Sequence, residues 1–277
     1  MPLVPMKEML IDAMRGRYAV GAFDIMGIPS IKGVIEAAEE TNSPVILMFA
    51  EMFEKFHPME EVAFAATGMA AKSRVPVAFL LDHGVTYEGI VRAVHCGFSS
   101  IMYDGSTLPF EQNVENTKNV IKICKPLGIT VEAELGHVGV AAIEGDSHMT
   151  DPEQAAQFVK ETGIDALAVS IGNAHGKYRG VPKLDMKILA DIRNRCDAPL
   201  VLHGGSGIPD DDFRESVRQG ISKINIWTEL SQVSADFVRE LMKKEDAMLP
   251  DITMSLEAAA KKVALDRIDV FGSAGKA

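Results

Sequence analysis

Three histidines in this chain stand directly before a glycine, and each follows an apolar run. They are His83 in Phe79-Leu80-Leu81-Asp82-His83-Gly84, His203 in Leu200-Val201-Leu202-His203-Gly204-Gly205, and His175 in Ile171-Gly172-Asn173-Ala174-His175-Gly176. Neutral imidazole is a good ligand for Zn²⁺, and three protein ligands with one open position is the usual catalytic arrangement of that ion. Any one such histidine can simply hydrogen-bond in a turn. Three in the same context point to one shared divalent ion. His57, His95, His137 and His148 lack the pattern. Asp82, one residue before His83, lies at the strand rim or faces the other way, and an acid beside a metal site can act as general acid and base. Asp104 in Asp104-Gly105 either holds a second cation or shapes a turn.

The elements that must bring these residues together are short, apolar and β-branched. Strands are predicted over 18–24, 44–50, 75–81, 99–103, 129–135, 164–171, 198–202 and 222–226. Between them lie helical patterns over 28–41, 59–72, 87–96, 110–125, from 151, 183–195, 209–219 and 227–244. Extra helices are predicted at 2–15 and 256–267. Asp151-Pro152 is a helix start, with the acid as N-cap and proline at the first helical position. Eight strands alternating with helices imply a parallel sheet closed into an α/β (β/α)8 TIM barrel, here one domain over 1–277. Such barrels place their chemistry at the carboxyl ends of the strands. An open doubly wound sheet would carry a glycine-rich turn after the first strand, and Asp24-Ile25-Met26-Gly27 is not one.

Within the fifth strand Glu132 and Glu134 point to the same side, because residues i and i+2 do. Two carboxylates in a barrel lumen repel each other unless a cation is shared, so they read as metal partners or as a salt bridge inside the barrel. The loop 136–150 has no periodicity and reads as mobile. Gly204-Gly205-Ser206-Gly207, with Asn225 and Thr228 after the eighth strand, occupies the position where these barrels build a phosphate site. Small residues there let backbone N–H groups approach phosphate oxygens. Lys177 and Arg179 add positive charge nearby.

Composition narrows the partners. The 277 residues are 47% hydrophobic and carry a net charge of -11, which argues against nucleic acid or an anionic membrane and leaves a small molecule. Three widely spaced cysteines, with neither a signal-peptide pattern nor a long apolar run, suit a reducing, cytoplasmic setting.

These residues resemble the zinc-dependent, class II ketose-bisphosphate aldolases, including fructose- and tagatose-bisphosphate aldolases. The likeness covers essentially the whole chain. It rests on Leu81-Asp82-His83-Gly84, Val131-Glu132-Ala133-Glu134-Leu135-Gly136, Gly172-Asn173-Ala174-His175-Gly176, His203-Gly204-Gly205-Ser206-Gly207 and Lys223-Ile224-Asn225-Ile226. The resemblance implies an aldolase, a carbon–carbon lyase that reversibly cleaves a phosphorylated ketose to dihydroxyacetone phosphate and an aldehyde. By this likeness Zn²⁺, or another divalent ion, sits on His83, His175 and His203 and stabilises an enediolate. Asp82 exchanges the proton of the aldehyde-derived hydroxyl. Glu134 serves a displaced or second metal position, with Asp104 and Glu132 near it. The phosphate is held by Gly176, Gly204, Gly205, Ser206, Asn225, Ile226, Trp227 and Thr228, beside Lys177. Asp24 and Glu132 are further candidates for the inner shell of the site. Family members also bind a monovalent cation and form homodimers or homotetramers.

The chain departs from the family at four places. Strand one usually ends in Phe-Asn and here ends in Phe23-Asp24. The loop after strand five usually carries Gly-Gly-x-Glu-Asp, whose glutamate moves the proton at the enediolate carbon; here it reads Gly139-Val140-Ala141-Ala142-Ile143-Glu144-Gly145-Asp146, with Glu144 and Asp146 as the nearest acids. Trp227 replaces a small or acidic residue. No basic residue for a second phosphate stands in Ile252-Thr253-Met254-Ser255-Leu256. These changes bear on the bisphosphate substrate more than on the metal. The same metal site would also serve an epimerase or isomerase of a ketose or its phosphate, or a non-catalytic metal-binding relative.

Overall fold

The computed structural model describes residues 3–143 and 145–277. Eight parallel strands close into a barrel in chain order, with the last pairing back onto the first. They are β1 (Val20–Asp24), β2 (Val45–Ala50), β3 (Val77–Gly84), β4 (Ser100–Tyr103), β5 (Thr130–Leu135), β6 (Ala166–Val169), β7 (Leu200–Leu202) and β8 (Ile221–Ile226). The helices are α1 (Met6–Gly16), α2 (Ile28–Thr41), α3 (Met59–Ala70), α4 (Tyr87–His95), α5 (Phe110–Cys124), α6 (Pro152–Thr162), α7 (Met186–Arg195), α8 (Asp210–Arg218), α9 (Thr228–Leu241) and α10 (Leu249–Phe271). A short 3₁₀ turn, Glu51–Lys55, follows β2.

Strand alternation sorts the side chains into two cores. Outward residues such as Phe23, Leu47, Phe79, Leu81, Ile101, Leu167 and Ile224 pack beneath the helices. Inward residues Val20, Ala22, Ile46, Met48, Ala78, Leu80, Met102, Ala168 and Val201 fill the lumen, and Met6, Met9 and Leu10 of α1 join them. That helix plugs the amino-terminal end, where the Met6 N–H donates to Ser100 Oγ and the Lys7 N–H to Thr130 Oγ1. Continuing the same inward alternation toward the carboxyl ends reaches Asp24, Asp82, Asp104, Glu134, Ser170, His203 and Asn225. The fold therefore fills one end of the lumen with hydrocarbon and lines the other with functional groups.

One ion pair crosses the lumen. Lys223 Nζ of β8 lies 3.0 and 2.9 Å from the two carboxylate oxygens of Glu132 on β5, and both side chains are fully buried. Expected as a candidate for the inner shell of the metal site, Glu132 is instead committed to this lysine. That is the salt bridge inside the barrel that its sequence pattern equally allowed.

Several boundaries shift from the expectations by a few residues, α1 opening at Met6 and α7 at Met186 among them. β3 runs on through Asp82-His83-Gly84, because a bulge keeps the strand paired to Gly84. α10 begins at Leu249 rather than 256 and runs through Phe271. Its early turns bury nothing, so periodicity gave no signal, yet the Asp251 carboxylate accepts from the Met248 N–H and starts the helix. α9 stops at Leu241. The Asp151 cap is formed as expected, accepting from the Glu153 and Gln154 N–H groups.

Removing one partner of a buried ion pair strands the other's charge, at a cost of about 3–5 kcal/mol. Lys223→Met is expected to lose that much stability in chemical denaturation, and Lys223→Met with Glu132→Leu to recover most of it.

Candidate metal centre

The three His-Gly histidines meet at the open end of the barrel. Their ring centroids are 4.9 Å apart for His83–His175 and His83–His203 and 5.9 Å for His175–His203. One nitrogen from each lies within 4.8 Å of the others, a spacing that one small cation can bridge. His83 Nε2 and His203 Nδ1 face each other at 3.1 Å.

Each ring is aimed through its other nitrogen, as metal-bound imidazoles usually are. His83 Nδ1 meets Asp104 Oδ2 at 2.7 Å. His203 Nε2 meets Glu132 Oε1 at 2.9 Å, which gives that carboxylate a role one step behind the ion. His175 Nδ1 meets the Val138 carbonyl at 2.9 Å. The segment 136–150, read from its lack of periodicity as a mobile loop, carries paired backbone among its described residues. His137 and His148 pair antiparallel, and Val140 pairs parallel to His175 through Ala141 N–H to His175 O at 2.8 Å and His175 N–H to Gly139 O at 2.7 Å. The segment is a strap that holds the third imidazole.

Asp82 and His83 are adjacent on one strand yet both serve the mouth. His83 takes φ +46°, a left-handed conformation rare for a residue with a side chain, at the bulge of β3. Asp82 is buried, accepts from Asn225 Nδ2 at 3.1 Å, and brings Oδ2 to 3.9 Å from His83 Nε2. Strained backbone of this kind concentrates at functional sites.

A second group, His83, Asp104 and Glu134, also has the spacing of a cation site and shares His83 with the first. Asp104 Oδ1 accepts from Ser106 N–H and Oγ–H, and Ser106 Oγ contacts His137 Nδ1 at 2.8 Å. Glu134 Oε1 accepts from the Val138 N–H at 2.8 Å, so one strap residue ties both groups. Glu134 Oε2, Asp24 Oδ1, Ser170 Oγ and Asn225 Oδ1 are buried polar atoms with no protein partner, all at strand ends around this mouth. Such atoms are costly unless a ligand or ion satisfies them. The donor set and the orphaned oxygens together fit a divalent ion. Asp24 belongs to neither ligand group among the described residues, so it is set beside Asp82 rather than in the inner shell.

The phosphate-site candidates sit at the β7 and β8 ends. Gly204 has φ +62°, and a Cβ there would collide with the Ala174 carbonyl, so glycine lets the His203 and His175 loops touch. Tyr178 Oη locks them, donating to Gly204 O at 3.0 Å and accepting from Ala174 N–H at 2.8 Å. Ser206 Oγ accepts from the Glu229 N–H in the first turn of α9, and Trp227 and Thr228 stand at that helix's start. Asn225 links Asp82 to the His203 ring. Gly176 and Lys177 follow His175, with Lys177 exposed, while Ile226 faces the outer core and holds its position only through backbone. Arg179 donates to the strap carbonyl of Ala142.

The sequence model of the fructose-bisphosphate aldolase class-II family matches residues 4–276. This chain belongs to the class II aldolase family. It is 42% identical over 270 residues to the uncharacterized protein YdjI of Escherichia coli K12, covering 96% of each chain. It is 40% identical to the fructose-bisphosphate aldolase of Geobacillus stearothermophilus, over 100% of this chain and 99% of that one. The crystal structure of the E. coli YdjI aldolase superposes with a TM-score of 0.91, 40% identity and 99% coverage of both chains. The aldolase family and its barrel, expected from the motifs, are therefore established, and the family is typically metal-dependent.

Within this aldolase scaffold, sequence reading missed the role of Lys223, the Val138 carbonyl and the Ser106–His137 link. Of these, Lys223 alone left a partial signal. It lies two residues before Asn225 on the same strand, hence on the same face, and a buried Glu132 needs a cation. Of the two acids in the loop, Asp146 is spent on the Val140 N–H at 2.6 Å, and Glu144 lies outside the described residues.

Burial and neighbouring charge push the groups of this site in opposite directions. Burial alone would lower His83, but the Asp82, Asp104 and Glu134 carboxylates outweigh it and raise the imidazole to about 10. Burial and the Asp104 charge raise Glu134 to about 8. Burial and the neighbouring His83 lower His175 to about 4, and burial keeps His203 far below its usual value. Burial would raise Asp104, but the His83 and Ser106 contacts hold it well below the usual carboxylate range. His83 and Glu134 are thus the groups whose protons compete with a cation, whereas burial favours the neutral, ligand-ready forms of His175 and His203. Zn²⁺ affinity is expected to rise as pH increases from 6 to 8, with proton release seen by calorimetry in buffers of different ionisation enthalpy. Glu132→Gln is expected to weaken Zn²⁺ binding by about 10–100-fold while leaving the ligands in place.

Proposed function

We propose that this protein is a zinc-dependent aldolase that reversibly cleaves a phosphorylated ketose to dihydroxyacetone phosphate and an aldehyde. The observation that carries the reading is Asp82: a buried carboxylate, fixed by Asn225, set 3.9 Å from the inward nitrogen of a three-histidine cluster. A base held beside a Lewis-acid site and away from water is what removal of the proton from a hydroxyl β to a ketone requires.

His83, His175 and His203 would hold the ion. When bound, it would polarise the ketone and draw off the charge that develops as the bond breaks. The Ser206 hydroxyl, whose oxygen already accepts from the Glu229 N–H, and the Gly204–Gly207 loop beside the start of α9 support binding of the phosphate, since small-residue loops next to helix N-termini accept anions. Asn225 Nδ2 holds Asp82 on the substrate side. Asp82 takes the proton from the hydroxyl on the carbon to be released. The carbon–carbon bond between it and the ketone fragment breaks, the hydroxyl carbon becomes the aldehyde, and the bonding pair stays on the ketone fragment. One proton returned to that fragment gives dihydroxyacetone phosphate, so atoms and charge balance. The reverse order makes the bond.

Exposed apolar side chains on one side of the barrel, Met52, Phe56 and Phe64, support assembly into a homodimer or homotetramer. The described helices contain none long and apolar enough to cross a membrane.

A panel of mono- and bisphosphorylated ketoses, coupled to a triose-phosphate-specific reductase, tests the activity. Triose phosphate should appear with Zn²⁺ and vanish on chelation. Asp82→Ala should retain its metal and lose about 10²–10⁴-fold in kcat. An epimerised ketose phosphate without triose product would replace the lyase by an isomerase.

A further inference from the structure

The mouth of the barrel is chemically lopsided. The segment after β6 carries Lys177, Arg179 and Lys183, next to the phosphate segments of β7 and β8. The described residues of the segments after β1, β2, β3, β4 and β5 carry one Lys or Arg, Lys55, and it lies over the Phe56 ring with Nζ 4.9 Å from the centroid. Basic groups of α10 are each engaged on the outside: Lys261 with Glu40, Lys262 with Asp266, and Arg267 with Asp210 and Glu229.

In place of cations, the β1 end offers the carboxyl group of Asp24. Asp24 ends β1, is 4% exposed, and has Oδ1 buried without a partner. It neighbours Asp82, the group that handles the reacting hydroxyl. Trp227, at the end of β8, packs on Phe53 beyond β2 with ring centroids 4.7 Å apart, in the outer core and not in the mouth. Asp24 and Asp82 side by side offer a phosphate dianion no cation, and burial beside Asp82 favours the neutral form of Asp24. Such a pair suits the O–H groups of a sugar chain, which hydrogen-bond to a carboxyl in either form.

We propose that the ketose cleaved here carries a single phosphate, on its ketone side, and releases an uncharged hydroxyaldehyde, one of whose hydroxyls donates to Asp24. Asp24 is thus the specificity-determining residue of the aldehyde half. The inference rests on the aldolase reading above and narrows its substrate.

The test compares a ketose 1-phosphate with the 1,6-bisphosphate of the same sugar, as kcat/KM at saturating Zn²⁺. The wild-type enzyme should prefer the monophosphate by at least about tenfold, the range expected when one buried polar contact discriminates. Asp24→Asn should move that ratio toward the bisphosphate by about tenfold or more, and Asp24→Ala should raise KM for the monophosphate with metal content unchanged by elemental analysis. A shift of ratio is a readout that a merely structural Asp24 would not give. Equal or better cleavage of the bisphosphate by the wild-type enzyme overturns the inference and leaves the aldolase reading standing. So does an unchanged ratio in Asp24→Asn. Failure to form triose phosphate from either sugar overturns both.

Discussion

Negative charge buried at the end of a closed barrel governs this molecule. Glu132 lies in the lumen out of reach of water, and a bare carboxylate there would cost several kcal/mol. Lys223 neutralises it from across the barrel, and the remaining capacity of Glu132 Oε1 goes to His203. The same pair that makes the interior tolerable therefore also sets which nitrogen of His203 looks toward the mouth. Above it, Asp24, Asp82, Asp104 and Glu134 add further acids, and the described residues place no second lysine among them. The His83 imidazole, which Asp82, Asp104 and Glu134 draw toward its charged form, offsets part of that charge.

The second constraint is geometric. A strand alternates its side chains, so consecutive residues cannot both enter a lumen unless the backbone breaks step. At His83 it does, through a left-handed residue in a bulge. This is what allows a base and a metal ligand to share one strand end. The conformation is held by the Asp104 contact on Nδ1 and by the pairing of Gly84 beyond it. The strap after β5 solves a similar problem for His175, which follows no strand directly. Its position comes from pairing with Val140 and from the Val138 carbonyl rather than from the sheet.

Features that depend on residue type and local spacing were readable in the sequence. The eight apolar runs, the His-Gly pairs at their ends and the Asp151-Pro152 helix start all carry their meaning within a few residues. The family motifs extended that reading to the whole site. Features that depend on register or backbone were not readable. The Glu132–Lys223 contact joins positions 91 apart, and choosing it over a shared metal requires knowing which lumen level each reaches. The Val138 carbonyl has no side-chain signature at all. The start of α10 was hidden because its first turns are exposed and only Ala259 onward packs inside.

The arrangement also divides the mouth by task. The β3, β6 and β7 ends supply the imidazoles, β3 and β8 the proton-handling pair of Asp82 and Asn225, and β7 and β8 the anion cradle. Each of these groups is cross-linked to another: Asn225 touches both Asp82 and His203, Tyr178 joins the loops after β6 and β7, and Val138 joins Glu134 to His175. A change in any of them is felt by its neighbours. The β1 end is different. Asp24 has one buried oxygen with no protein partner and stands outside the bonded network of the other strand ends. A barrel built this way can alter what it accepts at β1 while the chemistry on the other strands stays in register. That is where this chain differs from the Phe-Asn pattern usual in its family.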